Sequence, residues 1–172
     1  MQVTVRARSG HDCAATLARR TARPYGRLMT RRPSPGPEHG FDFWIGEWSV
    51  VGAEGRALGT SSITPLFATG ALAEHWRGEG GFEGRSLNCY DAGRSRWHQT
   101  WVDSTGGLLL LEGGLVHDAM VLEGSAPGEH PAVAVPQRIT WSPEPGGVRQ
   151  HWESCADGAR WVTEFDGHYR PA

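Results

Sequence analysis

The sequence predicts an all-β chain, a single up-and-down antiparallel barrel of about ten strands. Three observations carry this reading. From Phe41 onward, runs of four to ten β-prone residues alternate with Gly, Asp and Pro punctuation. The punctuation is short, as hairpins between neighbouring strands require. No segment after residue 40 repeats apolar residues at i, i+3, i+4 and i+7, apart from a short turn at 41–45. A barrel is preferred to a sandwich because a meander closes naturally on itself and removes exposed edges.

Residues 1–38 hold eight of the 17 arginines against two acids, Asp12 and Glu38. They read as a flexible tail running into the Pro-rich linker RRPSPGPEHG at 31–40. Met29 is an alternative start, and the Arg-rich, acid-poor head also resembles a transit peptide in composition. Its longest apolar run, CAATLA at 13–18, is too short for a signal-peptide core or a membrane span.

The barrel domain is expected over 39–172. Strands are read near 46–52, 57–68, 71–78, 82–91, 95–103, 107–112, 117–124, 137–142, 147–155 and 160–169. Their breaks are DAG at 91–93, STGG at 104–107, GG at 113–114, PEPGG at 143–147 and ADG at 156–158, all suited to tight turns. The longest irregular segment, GSAPGEHPAVAVP at 124–136, is placed at a barrel rim, where it could act as a lid.

After residue 38, nine arginines face 17 acids, and the chain contains no Lys. Such an acidic surface is a poor grip for nucleic acid or anionic membrane, so neither is an expected partner. Three cysteines, Cys13, Cys89 and Cys155, form no C-x-x-C pair. That argues against a disulfide framework or structural zinc and fits a reducing cytoplasm. Cys89 and Cys155 read as small strand residues. A homodimer is left open.

Alternation along each strand gives the inner face. In VRQHWES, Val148, Gln150, Trp152 and Ser154 oppose Arg149, His151 and Glu153, so the Trp phase points in. In LAEHWR, Leu72, Glu74 and Trp76 oppose Ala73, His75 and Arg77. In RWVTEFDGHY, Trp161, Thr163, Phe165 and Tyr169 oppose Arg160, Glu164, Asp166 and His168. In WHQTWVD, Trp97, Gln99, Trp101 and Asp103 share a face, and burying a Trp gains roughly 2–3 kcal/mol. Asn88 and Tyr90 fit the inner face or the outer one, because Leu87 and Cys89 occupy the opposite phase.

One pattern spans three strands. A polar side chain precedes a Trp by two in Glu74-x-Trp76, Gln99-x-Trp101 and Gln150-x-Trp152. An unpaired buried amide costs roughly 1–3 kcal/mol, and a buried carboxylate costs more. These groups must bond to one another, to water or to a ligand. A barrel of this size encloses space, and an aromatic chamber with a few convergent polar groups is the usual make-up of a small-molecule site. The expected ligand is a small hydrophobic or aromatic molecule. Its expected contacts are Trp76, Asn88, Tyr90, Trp97, Gln99, Trp101, Gln150, Trp152 and Phe165, with Glu74 as the candidate catalytic residue.

The ordered set FDFWIGEW at 41–48, LAEHWRG, GRSLNCYD, RWHQTWVDSTG and FDGHYR resembles an uncharacterised bacterial family of small lipocalin-like, or calycin-type, barrels. Gly46-Glu47-Trp48 is similar to the G-x-W that opens their first strand. The resemblance implies a Trp48 that closes one barrel end, stacked with a basic residue from the last strand, here Arg170. It implies no reaction. Nitrobindin-like haem barrels have a similar ten-stranded shape and would take a histidine from near the chain end, here His168. That residue and His75, His98 and His151 fall on the outer phase, so no cofactor is expected, haem included, and no His-based zinc centre either.

Two functions follow from these residues. One is non-catalytic binding, as a carrier or sensor. The other is a cofactor-independent isomerase or cyclase in which Glu74, its pKa raised by desolvation, works as general acid or base. A covalent hydrolase is disfavoured, since GRSLN at 84–88 lacks the second Gly of a nucleophile elbow.

Overall fold

A computed structural model describes residues 35–128 and 133–172. The expected Arg-rich tail and the Met29 start lie outside the described residues. The described chain is a closed barrel of ten antiparallel strands, each paired with its neighbour in sequence. They are β1 (Gly46–Val51), β2 (Ala57–Pro65), β3 (Ala71–Gly78), β4 (Glu83–Asp91) and β5 (Arg96–Asp103). There follow β6 (Leu108–Val116), β7 (Ala119–Pro127), β8 (Ala134–Glu144), β9 (Gly147–Ser154) and β10 (Val162–Pro171). The seam is β1 against β10, from Trp48 opposite Pro171 to Val51 opposite His168. Among the described residues no helix is long and apolar enough to cross a membrane.

The Trp-bearing phases point inward, as alternation predicts for β3, β5 and β9. On β4 the ambiguity resolves cleanly: Ser86 and Asn88 are buried, whereas Leu87 and Cys89 are exposed. Cys89 and the buried Cys155 are both free thiols.

Three expectations are corrected. The Gly113-Gly114 pair is not a turn, because β6 runs through it to Val116 and reverses at His117, which adopts φ 56°. Gly113 serves close approach instead: a Cβ there would stand 2.0 Å from the Val121 carbonyl oxygen. The segment 124–136 is mostly hairpin rather than irregular rim. Ser125, Ala126 and Pro127 pair with Pro136, Val135 and Ala134, and residues 129–132 fall outside those described. The third correction concerns β10. Thr163 pairs with Glu153 but Phe165 pairs with Trp152, so Glu164 is a bulged residue. An extra residue reverses the faces on either side of it. Phe165 and Tyr169 therefore point in as expected, while Trp161 and Thr163 are exposed.

One end of the barrel is plugged by the chain that precedes β1. Residues Pro37–His39 and Asp42–Trp44 form two 3₁₀ turns. Phe41 stacks on Trp44 at 4.9 Å and meets Trp97 and Trp141 edge-on at 5.6 and 5.0 Å. The indole N–H of Trp97 donates to the Pro37 carbonyl at 3.1 Å. The last residues of the supposed linker are thus part of the folded unit. Trp48 is buried, and its N–H donates to the Trp44 carbonyl at 2.9 Å. It forms no stack with Arg170. Arg170 lies opposite Ser49 on the outer side of the seam, where it pairs with Glu144.

Candidate functional site

Above the plug the barrel holds a cavity of about 310 Å³. All three polar-x-Trp pairs line it: Glu74 and Trp76 from β3, Gln99 and Trp101 from β5, Gln150 and Trp152 from β9. They meet because the three strands enter the same level of the barrel, each with its Trp nearer the open end. Phe165 joins them from β10, where it meets Trp76 edge-on at 5.7 Å.

Three predicted contacts are not in the cavity. Trp97 and Tyr90 share the inner face but sit at the plugged end, 6.0 Å apart, with Trp97 held by Phe41 and Pro37. Asn88 is buried and bonds to Ser86 and Gln99. Sequence reasoning missed Tyr169, Asp103, Phe82, Leu109 and Ile139, which complete the wall. Tyr169 and Asp103 could have been included, since both lie on phases already read as inward.

A hydrogen-bond chain runs through this wall. Gln99 Nε2 donates to Asn88 Oδ1 at 2.8 Å, and Asn88 Nδ2 donates to Ser86 Oγ at 2.9 Å. Ser86 in turn donates to Glu74 Oε2 at 2.8 Å, and Ser61 from β2 donates to Oε1 at 3.1 Å. The amide nitrogen held between Trp97 and Trp101 is therefore bonded to protein, at the far end of the chain of groups that leads to Glu74. On the opposite wall, the Tyr169 hydroxyl donates to Gln150 Oε1. Nearer the mouth, Trp152 donates to Gln137 Oε1 at 2.7 Å and Trp101 to Asp103 Oδ2 at 3.1 Å. Gly84 makes room for the Trp101 ring, since a Cβ there would lie 2.2 Å from it.

Burial pushes the Glu74 carboxyl from 4.5 up to about 7, against the Ser86 and Ser61 hydroxyls, which pull it down. Burial likewise lifts the Tyr169 phenol well above its ordinary value, and the charge of Glu74 adds to the effect. Asp103 moves the other way, held below the usual carboxylate range first by the Thr105 hydroxyl. A carboxyl poised near neutrality can give or take a proton, or hold a charge for a bound cation.

The strand histidines all find partners on the outer face: His75 with Glu83, His98 with Thr100, His151 with Thr163 and His168 with Glu144. No group of three or more His, Cys, Asp or Glu is placed to hold a metal ion among the described residues. Neither known protein families nor curated proteins match this chain at a significant level.

Proposed function

We propose that this barrel binds a small, largely apolar molecule in its aromatic cavity, as a carrier or sensor of the lipocalin-like kind. One observation carries the reading. Seven side chains singled out by sequence, from four strands, converge on one cavity of about 310 Å³. That volume lies at the lower end of the range of about 300–1,000 Å³ for small-molecule sites. The walls combine aromatic area with a few fixed polar groups, the arrangement that gives affinity and orientation together. A cytoplasmic protein without a resident cofactor is part of the same proposal, and the outward histidines favour it over a haem barrel.

Native mass spectrometry on protein from its own host, followed by denaturing extraction, is the direct test. A stoichiometric small molecule is expected. An empty protein whose Trp fluorescence also ignores a panel of apolar compounds would reject the reading.

The position of Glu74 favours a second reading, proton transfer during isomerisation or cyclisation of the bound molecule. A pKa about 7 suits a general acid or base at neutral pH. Under this reading Glu74→Gln binds the extracted ligand normally but loses turnover; a variant that keeps every function leaves the carrier.

A further inference from the structure

We infer that the cavity selects an organic cation: an ammonium group on a small apolar body, with the Glu74 carboxylate as its counter-ion and the surrounding tryptophans as its walls. The inference rests on the cavity being a binding site and names the chemistry it would take.

Charge comes first. Among the described residues the cavity lining contains two carboxyl side chains, Glu74 and Asp103, and no Arg or His. Asp103 is committed at the mouth, where it accepts from Trp101, from the Thr105 hydroxyl and amide, and from the Gly107 amide. Glu74 lies deeper and is 5% exposed. A carboxylate that far from water needs a cation or several donors to remain charged. Among the described residues the cavity supplies donors but no cation.

The direction of the hydrogen bonds comes second. Ser86 receives the Asn88 amide N–H, so its own hydroxyl hydrogen is directed to Glu74. Ser61 directs another to the second oxygen. The network is thus wired to an acceptor. An ionised carboxylate offers about four acceptor positions, and the two serines use two of them. Glu74 also lines the cavity, where the acceptor positions that remain suit an N–H donor.

The walls come third. Trp76, Trp101, Trp152, Phe165 and Tyr169 surround the same space. Aromatic faces attract cations, Trp most strongly, and the attraction is larger where water is excluded. An anionic ligand would meet two carboxyls and no positive partner. A neutral apolar ligand would gain from the walls but make no use of the Glu74 carboxylate as a counter-ion. An ammonium with an apolar body uses both features, and the acidic balance of the domain would draw it in.

The titratable groups facing Glu74 within the cavity are Tyr169 from β10 and Asp103 from β5; His75, next to it on β3, points outward to Glu83. Tyr169 stays protonated across neutral pH and Asp103 stays ionised, so the pH response between 6 and 8 belongs to Glu74.

Calorimetric titration with matched probes tests this. The pairs are 2-phenylethylammonium against 2-phenylethanol and hexylammonium against hexanol, with the neutral dye N-phenyl-1-naphthylamine as a general cavity probe. At least one ammonium is expected to bind about tenfold or more tighter than its alcohol at pH 8. Its affinity should fall about tenfold by pH 6, as Glu74 takes up a proton, while alcohol binding stays flat. In Glu74→Gln the preference and the pH response should both vanish with alcohol binding retained. The wild-type pH profile keeps the test decisive if that variant does not fold. Alcohols or dye that bind as well as or better than the ammoniums would overturn the cation inference and leave the cavity reading standing. No binding by any probe would overturn both.

Discussion

Glu74 is a carboxyl placed among aromatic rings, and its titration should be visible in the stability of the whole fold. Its folded pKa of about 7 lies above the ordinary 4.5, so the folded state holds a proton that the unfolded chain has released. The resulting stability is complete below about pH 4.5 and is lost as pH rises through about 7. By linkage the loss amounts to roughly 3 kcal/mol. The depressed carboxylates, Glu83, Asp91, Asp103, Glu112, Asp157 and Asp166, act in the opposite sense and at lower pH. Urea unfolding of wild type and Glu74→Gln at pH 5 and pH 8 isolates the difference. The variant should gain on wild type at pH 8 relative to pH 5; parallel behaviour would show that Glu74 is solvated. At the same scale, the buried indole N–H groups of Trp44 and Trp141 find no acceptor among the described residues.

Among the elements, β10 shows how one extra residue decides the worth of a tryptophan. The bulge at Glu164 leaves Trp161 outside, 38% exposed, with the Arg138 guanidinium 4.2 Å from its ring centre. Such a surface contact contributes about 0.5–1 kcal/mol. Trp97, 1% exposed, is instead clamped between β5 and the plug. Trp161→Ala should cost under about 1 kcal/mol and Trp97→Ala about 3–5 kcal/mol. Denaturant midpoints measure both, and equal losses would mean that the bulge does not reverse the strand. The hydrophobic pattern alone cannot distinguish these two tryptophans. Both sit in alternating segments flanked by Arg, and a bulge has no residue signature in the segment RWVTEFDGHY.

For the molecule as a whole, closure between β1 and β10 is what removes both sheet edges. Strands at open edges exchange their amide hydrogens quickly, whereas strands in a closed ladder do so only on larger openings. Amides of β1 and β10 that face each other, from Ser49 opposite Arg170 to Val51 opposite His168, should be protected as strongly as those between β4 and β5. Hydrogen exchange read by mass spectrometry checks this. Fast exchange confined to β1 and β10 would show an open sheet. The plug gives a further reason for strong protection, because Phe41 and Trp44 are fully buried immediately before β1.

By itself the sequence determined the class of fold, the existence of ten strands and the inward face of most of them. Side-chain alternation is a local property with a period of two, and a tryptophan on one phase against charges on the other decides it. The same local logic brings out Glu74, Gln99 and Gln150 with their tryptophans. Tertiary structure alone decided depth. Trp97 and Trp101 lie on one face of one strand, yet one belongs to the plug and the other to the cavity. Asn88 and Ser86 likewise share a face, but only through the pairing of β3, β4 and β5 does Ser86 come opposite Glu74 and Asn88 opposite Gln99. Height along a barrel axis is set by strand tilt and by the stagger of every pairing around the ring. No single strand carries that information, so the network that serves Glu74 exists only once the barrel has closed.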